Sequence, residues 1–411
     1  MACAAISALA WEIPTEMPAT PFSGGSGTQT DPYRISNAQD LVNFSYICKY
    51  TRASETKDKY YVLTNDITLN SVSSKEDLRS PSCQALEVYR FGVYDFGGNF
   101  DGRGHTITGY VCGVQEDDGL FGHLEGAKIS NVTFDYVGLV APIERDPTAE
   151  RNETVCWAIL AGTAENTVFN NVHINNAYCF NYNYSDDPDP NLLLGGFVYH
   201  TNEIVVFNDC SINLDIHEQC EASNVGGFVC TNSGELYMNR CKVGGVWSCN
   251  YRSTDSRPDF YIGGVLAVNE GTTIISQSVS TIKLNYQNDG YDNINNRPYN
   301  AYASFGGLVG QNHSSAHLLT IKESAFMGSL KFNLSYDSAK RYPPVLKGCR
   351  IGGLIGYCNE ETIISDCAYI GDINFENTIE DEPHYIACLI GDVNDDVEIN
   401  RCSIVSFDSY Y

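Results

Sequence analysis

One phrase recurs along this chain. Gly-Gly, a bulky apolar pair and a small residue come first, and about eleven residues later the unit closes on Cys, Ser or Val. The clearest copies begin Gly195-Gly196-Phe197-Val198, Gly226-Gly227-Phe228-Val229, Gly263-Gly264-Val265-Leu266, Gly306-Gly307-Leu308-Val309 and Gly352-Gly353-Leu354-Ile355. Weaker copies are Asp118-Gly119-Leu120-Phe121-Gly122, Trp157-Ala158-Ile159-Leu160-Ala161 and Ala387-Cys388-Leu389-Ile390-Gly391. About eight turns follow one another at roughly 31 to 46 residues. A repeat of that period marks a stacked architecture in which each unit covers its neighbour.

Stacking removes the usual size limit. A globular chain of 411 residues would divide into two or three domains, but a solenoid core grows in one dimension. A single elongated domain is therefore expected. The 27 Tyr, 18 Phe and 36 Gly suit strands and tight turns, while Lys and Arg together number only 25. Short strands between Gly or Asn turns, without helical stretches, predict an all-β, right-handed parallel β-helix. Leu120, Ile159, Phe197, Phe228, Val265, Leu308, Leu354 and Leu389 are expected to share one register. Phe169, Phe207, Met238, Ile275, Ile364 and Ile399 should share another. The Gly-Gly pair marks a corner, where Gly tolerates positive φ and lets backbones approach.

The net charge of −26 repels phosphate backbones, so nucleic acid is not an expected partner. The surface reads as solvated and acidic. No run of 18 apolar residues occurs, so membrane insertion is not expected. Sixteen Cys suggest a disulfide framework, but Cys210, Cys241, Cys367 and Cys402 fall at one repeat position that Val172, Ser278 and Ser324 fill in other turns. A small residue at a fixed register points inward, so a reduced ladder is expected there. No Cys-x-x-Cys is present, and no cofactor or metal is expected.

The N-terminal end has its own organisation. Residues 1–10 are apolar and end in small residues, like the tail of a truncated signal peptide lacking its basic region. Residues 11–30, rich in Pro, Gly, Ser and Thr, read as a linker. Residues 31–411 read as one β-helix domain, with a capping region over 31–115 and the turns over 116–411. In the cap, Ser36 is placed as an N-cap with Gln39 at the capping-box position. Ala38, Leu41, Val42, Phe44, Ile47 and Cys48 then form an apolar helical stripe. One short helix here would cover the exposed end of the core.

These repeats resemble the Glug-motif family of bacterial surface and secreted proteins, among them adhesin-like proteins and non-catalytic regions of IgA-cleaving proteases. The front end is similar too, through Gly24–Ile35, Ala38–Phe44, Tyr61–Leu69 and Phe96–Ile107 in that order. The likeness spans about residues 24 to 405. It implies a β-helix and an extracellular or cell-surface location, and it brings no catalytic residues. Tyr199, Cys230 and Ala267 stand where the motif's last Gly would be.

Enzymatic motifs are fragmentary. His217-Glu218-Gln219-Cys220-Glu221 opens like a zinc-protease helix but has Glu221 in place of the second His and lies on a strand. Asp187, Asp189 and Asn191, and again Asp392, Asn394 and Asp396, have calcium-loop spacing without the following Gly. Glu116-Asp117-Asp118 and Asp101, Arg103 and His105 are the acidic clusters that a polysaccharide lyase or glycoside hydrolase, the alternative reading, would need. The second cluster reads as a turn. The favoured reading is non-catalytic: a monomeric adhesin-like protein that binds a glycan or a host or extracellular protein. Two Tyr/Asn-rich insertions carry that expectation, through Tyr182, Tyr184, Asp187 and Asp189 in one and Tyr286, Asn288, Tyr291 and Tyr299 in the other, since Tyr offers an amphipathic face and Asn paired donor and acceptor groups.

Overall fold

The structure is a computed structural model, and it describes residues 11–80, 82–86, 95–112, 119–140, 155–181, 192–220, 223–251, 260–288, 302–334, 348–377 and 384–406. The chain winds into a parallel β-helix. One full coil runs Phe260–Gly263, Leu266–Asn269, Thr272–Ser276, Val279–Ser280 and Lys283–Asn288. Every strand in it pairs in parallel with its counterpart one coil on. Among the described residues the coils make a 30-stranded sheet and a separate seven-stranded sheet. The seven-stranded sheet stacks Val155–Ala158, Leu192–Gly195, Ser223–Gly226, Phe260–Gly263, Tyr302–Gly306, Gly348–Gly352 and Tyr385–Ala387.

The repeated phrase is the corner between these two sheets. Its glycines do not use positive φ as expected; none of the five Gly-Gly pairs lies in the left-handed region. Space requires them instead. A Cβ on Gly264 would lie 2.1 Å from the carbonyl oxygen of Gly307 in the next coil, and one on Gly263 would lie 1.9 Å from the Leu266 carbonyl oxygen. The third small position follows the same logic less strictly. A Cβ on Gly310 would meet the Ile262 backbone at 3.0 Å, and Cys230 and Ala267 fill that column in earlier coils.

The column Phe169, Phe207, Met238, Ile275, Ile321, Ile364 and Ile399 stacks in the expected register, with Ile321 added. The corner column differs by one residue in one copy. Ala158 pairs with Gly195, and the Leu160 N–H donates to the Phe197 carbonyl, so Leu160, rather than Ile159, aligns with Phe197, Phe228, Val265, Leu308, Leu354 and Leu389. Trp157-Ala158-Ile159 is a copy in which Ala and Ile replace the glycines, which hides its register. Each Phe, Leu or Ile buried in these columns stabilises by about 1.5–3 kcal/mol.

Two polar columns reinforce the coil. Inside, Thr201, Asn232, Asn269 and Asn312 form a buried ladder: Thr201 Oγ1 donates to Asn232 Oδ1 at 2.9 Å, Asn232 Nδ2 to Asn269 Oδ1 at 3.0 Å, and Asn269 Nδ2 to Asn312 Oδ1 at 2.8 Å. Outside, Asn131, Asn171, Asp209, Arg240, Gln277, Glu323, Asp366 and Arg401 all adopt left-handed φ between 48° and 55°. Long side chains are unusual there. They are tied across coils, Arg240 to both carboxylate oxygens of Asp209 at 2.6 and 2.7 Å, and Gln277 to Glu323 at 2.8 Å. The residue after each is the small inward one. Cys210, Cys241, Cys367 and Cys402 are thiols, and each Sγ lies 3.4–3.9 Å from a carbonyl of the preceding coil.

The helix α1, Ala38–Tyr50, closes the N-terminal end of the core. Leu41, Val42, Phe44 and Cys48 are fully buried, and Phe44 packs on Tyr61, Phe96, Phe100 and Phe121. Its N-cap is Asn37, not Ser36: Asn37 Oδ1 accepts from the Asp40 N–H at 3.0 Å, and Ser36 Oγ instead contacts Thr64 Oγ1 at 2.7 Å. The expected linker is not a free tether. Trp11 is buried and donates from Nε1 to the Leu69 carbonyl, and the Arg34 N–H donates to the Gly24 carbonyl. Residues 1–10 lie outside the described residues.

Candidate binding face

All seven connections into the seven-stranded sheet leave the coil at one corner. They follow the strands ending at Val140, Asn181, Cys220, Tyr251, Asn288, Leu334 and Asn377, which stack in register on one another. The stretches joining them to the next strands fall outside the described residues, and Tyr182, Tyr184, Asp187, Asp189, Tyr291 and Tyr299 lie there.

Two of the expected binding residues are within the described part. Tyr286 is a correction. It lies on the strand Lys283–Asn288, is 3 % exposed, and its ring packs among Phe260, Phe305 and Phe332. The alternation Leu284, Tyr286 continues the inward face, so Tyr286 is a core residue and not a ligand contact. The Asn-rich sequence around it disguised two more residues of strand. Asn288 ends that strand, opposite Leu334.

Across the Gly352-Gly353 corner the two sheets are joined by a cluster that composition did not single out. Arg350, on the seven-stranded sheet, reaches to the short strand of the long sheet. Its guanidinium carbon lies 4.3 Å from the Tyr302 ring centroid and 3.9 Å from that of Tyr357, and its Nε donates to Asp392 Oδ2 at 3.0 Å. Cation–π and charge-assisted contacts together fix the guanidinium between two rings. One coil earlier, Ser304 pairs with Arg350 and Gln311 with Tyr357. Both are almost fully buried, and Ser304 Oγ and Gln311 Oε1 have no hydrogen-bond partner among the described residues. Unsatisfied buried polar atoms cost about 1–3 kcal/mol each, so this seam would gain from a bound hydroxyl or water. A signal was present in the sequence: outward residues at this register change from His200 and Thr231 to Gln311, Tyr357 and Asp392.

Two histidines centre other polar groups. His200 Nε2 lies 2.9 Å from Ser233 Oγ, which donates to Glu270 Oε2 at 3.1 Å. Burial pushes the His200 pKa down against the pull of Glu270 and Glu165. The Glu165 and Glu270 backbones are three coils apart, about 14 Å at ~4.8 Å per coil. His173 Nδ1 lies 2.8 Å from Ser211 Oγ and Nε2 lies 3.0 Å from Asn171 Oδ1, and burial lowers its pKa as well. That order resembles nucleophile, base and orienting group. Ser211, however, begins a strand paired on both sides, so its backbone donors are committed to the sheet rather than to an oxyanion.

The remaining chemistry resolves into structure. Asp101 Oδ1 accepts from the Arg103 N–H at 2.9 Å and from Asn131 Nδ2 at 3.0 Å, and His105 Nδ1 contacts Asp66 Oδ1 at 3.1 Å, so this cluster is a turn, as expected. The Thr106 N–H and His105 hold the Asp66 carboxyl below its usual range. Glu116, Asp117 and Asp118 lie outside the described residues. His217 sits on a strand and stacks on Tyr178 at 5.1 Å. Asp392 is held by Arg350. Among the described residues no three His, Cys, Asp or Glu side chains are grouped to hold a metal, and no helix is long and apolar enough to cross a membrane.

No known family model matches the chain, and comparison with curated proteins finds no match. Among solved structures, the chain is similar to a protein from Bacteroides ovatus provisionally named an immunoglobulin A1 protease. The TM-score is 0.47, the identity 15 %, and the match covers 92 % of this chain and 87 % of that one.

Proposed function

We propose that this chain is a non-catalytic, adhesin-like binding protein, secreted or held at a cell surface, that engages a glycan or an extracellular protein along one side of the β-helix. The observation that carries this reading is the Tyr302–Arg350–Tyr357–Asp392 cluster, built on the strands that follow those connections. A solenoid concentrates its variable segments on one face, and such faces are where these folds bind. Aromatic rings beside fixed polar groups suit sugars and protein surfaces alike. The resemblance to Glug-motif repeats points to the same location and role.

A glycan array and an extracellular-matrix protein screen test this, with a parallel assay for reducing-sugar or unsaturated-uronate release. Retention without product, lost in Arg350→Ala and Tyr357→Ala, supports the reading. Release of product overturns it, and retention unchanged in both variants moves the site elsewhere.

A further inference from the structure

The two ends of the core are finished differently. At the N-terminal end α1 lies across the coil, and its Leu41, Val42, Phe44 and Cys48 are fully buried. At the other end, nothing among the described residues stacks on the last coil. Its strands Tyr385–Ala387, Ile390–Val393, Val397–Asn400 and Ser403–Ser406 pair on one side only. Ile386, Ile399 and Ile404 are 43 %, 47 % and 51 % exposed, although their partners one coil earlier, Ile351, Ile364 and Tyr369, are at most 1 % exposed. Tyr385, Val393 and Val405 are exposed to a similar degree. A run of large apolar side chains at core register is an interaction surface.

Charge and shape say what fits it. From residue 360 onward the sequence carries 13 Asp and Glu against one Arg. Asp395, Asp396 and Glu398 lie on the same coil as the exposed isoleucines, and the one cation of this stretch, Arg401, is held by Asp366. A second copy end to end would set these carboxylates against each other, so the complement is cationic. Each edge strand has only three or four residues before the chain bends, too short to hold one straight added strand. An amphipathic helix can cross the whole core section, as the 13 residues of α1 do at the opposite end.

We propose that the last coil, around Ile386, Ile399 and Ile404, is a docking surface for a basic amphipathic helix of another polypeptide. The proposal does not rest on the binding face described above, although Asp392 of that cluster belongs to the same last coil.

The test uses three synthetic peptides: a Leu/Lys amphipathic helix, a Leu/Glu helix with the same apolar face, and a Lys-bearing strand-forming peptide. Binding is read by calorimetry and by hydrogen exchange over 385–406. The expected result is binding of the Leu/Lys helix at least ten-fold tighter than of either other peptide, with exchange slowed over 385–406. Ile399→Ser with Ile404→Ser should weaken it at least ten-fold, while Asp209→Asn, on a distant coil, leaves it unchanged. Equal binding of the strand peptide, binding that survives the double Ser variant, or a salt-insensitive dimer protected over 385–406 without peptide would each overturn the proposal.

Discussion

Asn269 donates from Nδ2 to Oδ1 of Asn312 at 2.8 Å, one coil further on, and neither side chain has exposed surface. Asn269 also donates to the Gly271 carbonyl at 3.1 Å and accepts from Asn232 Nδ2 and, at 2.7 Å, from Thr273 Oγ1. A buried amide with this many partners tightens the turn within its coil while tying that coil to the next. Asn269→Ala removes the side-chain partner of several buried groups at once. It should cost about 2–4 kcal/mol, read as a lower urea midpoint. Asn269→Thr, which restores the group Thr201 supplies at the start of the column, should recover part of that loss. Equal midpoints for Asn269→Ala and the unchanged protein would mean that water replaces the ladder at little cost.

The corner glycines predict a graded series. Gly264→Ala places a methyl group 2.1 Å from a backbone oxygen and 2.4 Å from Ser280 Oγ, and neither coil can retreat without breaking its pairing. That variant should fail to accumulate as folded protein. Gly310→Ala meets its nearest atom at 2.6 Å in a column where Ala267 and Cys230 already stand, so it should remain folded with a loss of about 1–3 kcal/mol. Circular dichroism and thermal midpoints of the two variants check the order; a reversed order would show that the third small position, not the Gly-Gly pair, sets the corner.

Tyr286 separates core from ligand contact. Tyr286→Ala should cost about 3–5 kcal/mol, because the ring fills the space between Phe260, Phe305 and Phe332. Tyr286→Phe keeps that packing and should change any measured affinity less than two-fold. Arg350→Ala, by contrast, should lower affinity at the binding face. A large affinity loss in Tyr286→Phe with unchanged stability would return this tyrosine to the site.

The stacked fold was legible because its signal is periodic. Gly-Gly pairs, inward apolar columns and the Cys/Ser position recur in most coils, and an error arose where a copy departs from the pattern, at Ala158-Ile159. The capping helix was legible from its stripe, whereas its N-cap was off by one because Ser36 and Asn37 are both good caps and only the local geometry chooses. The asparagine ladder was missed: Asn reads as a turn residue, and nothing local reports that Asn232, Asn269 and Asn312 point inward. The Arg350 cluster was missed for a related reason. Tyr302, Arg350, Tyr357 and Asp392 come from four strands across three coils, and their meeting depends on how far each connection carries the register. Tyr286 misled because composition marks a stretch, not the direction of each side chain in it.

The buried thiols give the pH dependence. Burial pushes Cys210, Cys349 and Cys358 up to about 12 and Cys367 to about 11. An unfolded chain ionises these groups near ~8.5. Their folded values are raised, so their contribution to stability is fully present below about 8.5. It is lost as pH rises from there towards 12, because only the unfolded chain gains by releasing the proton. Stability should therefore fall on the alkaline side at up to about 1.4 kcal/mol per thiol per pH unit. The same burial keeps the native thiolate fraction at pH 8 near ~10⁻⁴ for a thiol at about 12. A chromogenic disulfide reagent at pH 8 should leave Cys210, Cys349 and Cys358 unlabelled in the native protein and modify them at once in guanidinium, with peptide mapping to assign the sites. Rapid native labelling of Cys210, or a flat urea midpoint between pH 8 and 10.5, would show that the coil opens there far more readily than its packing implies.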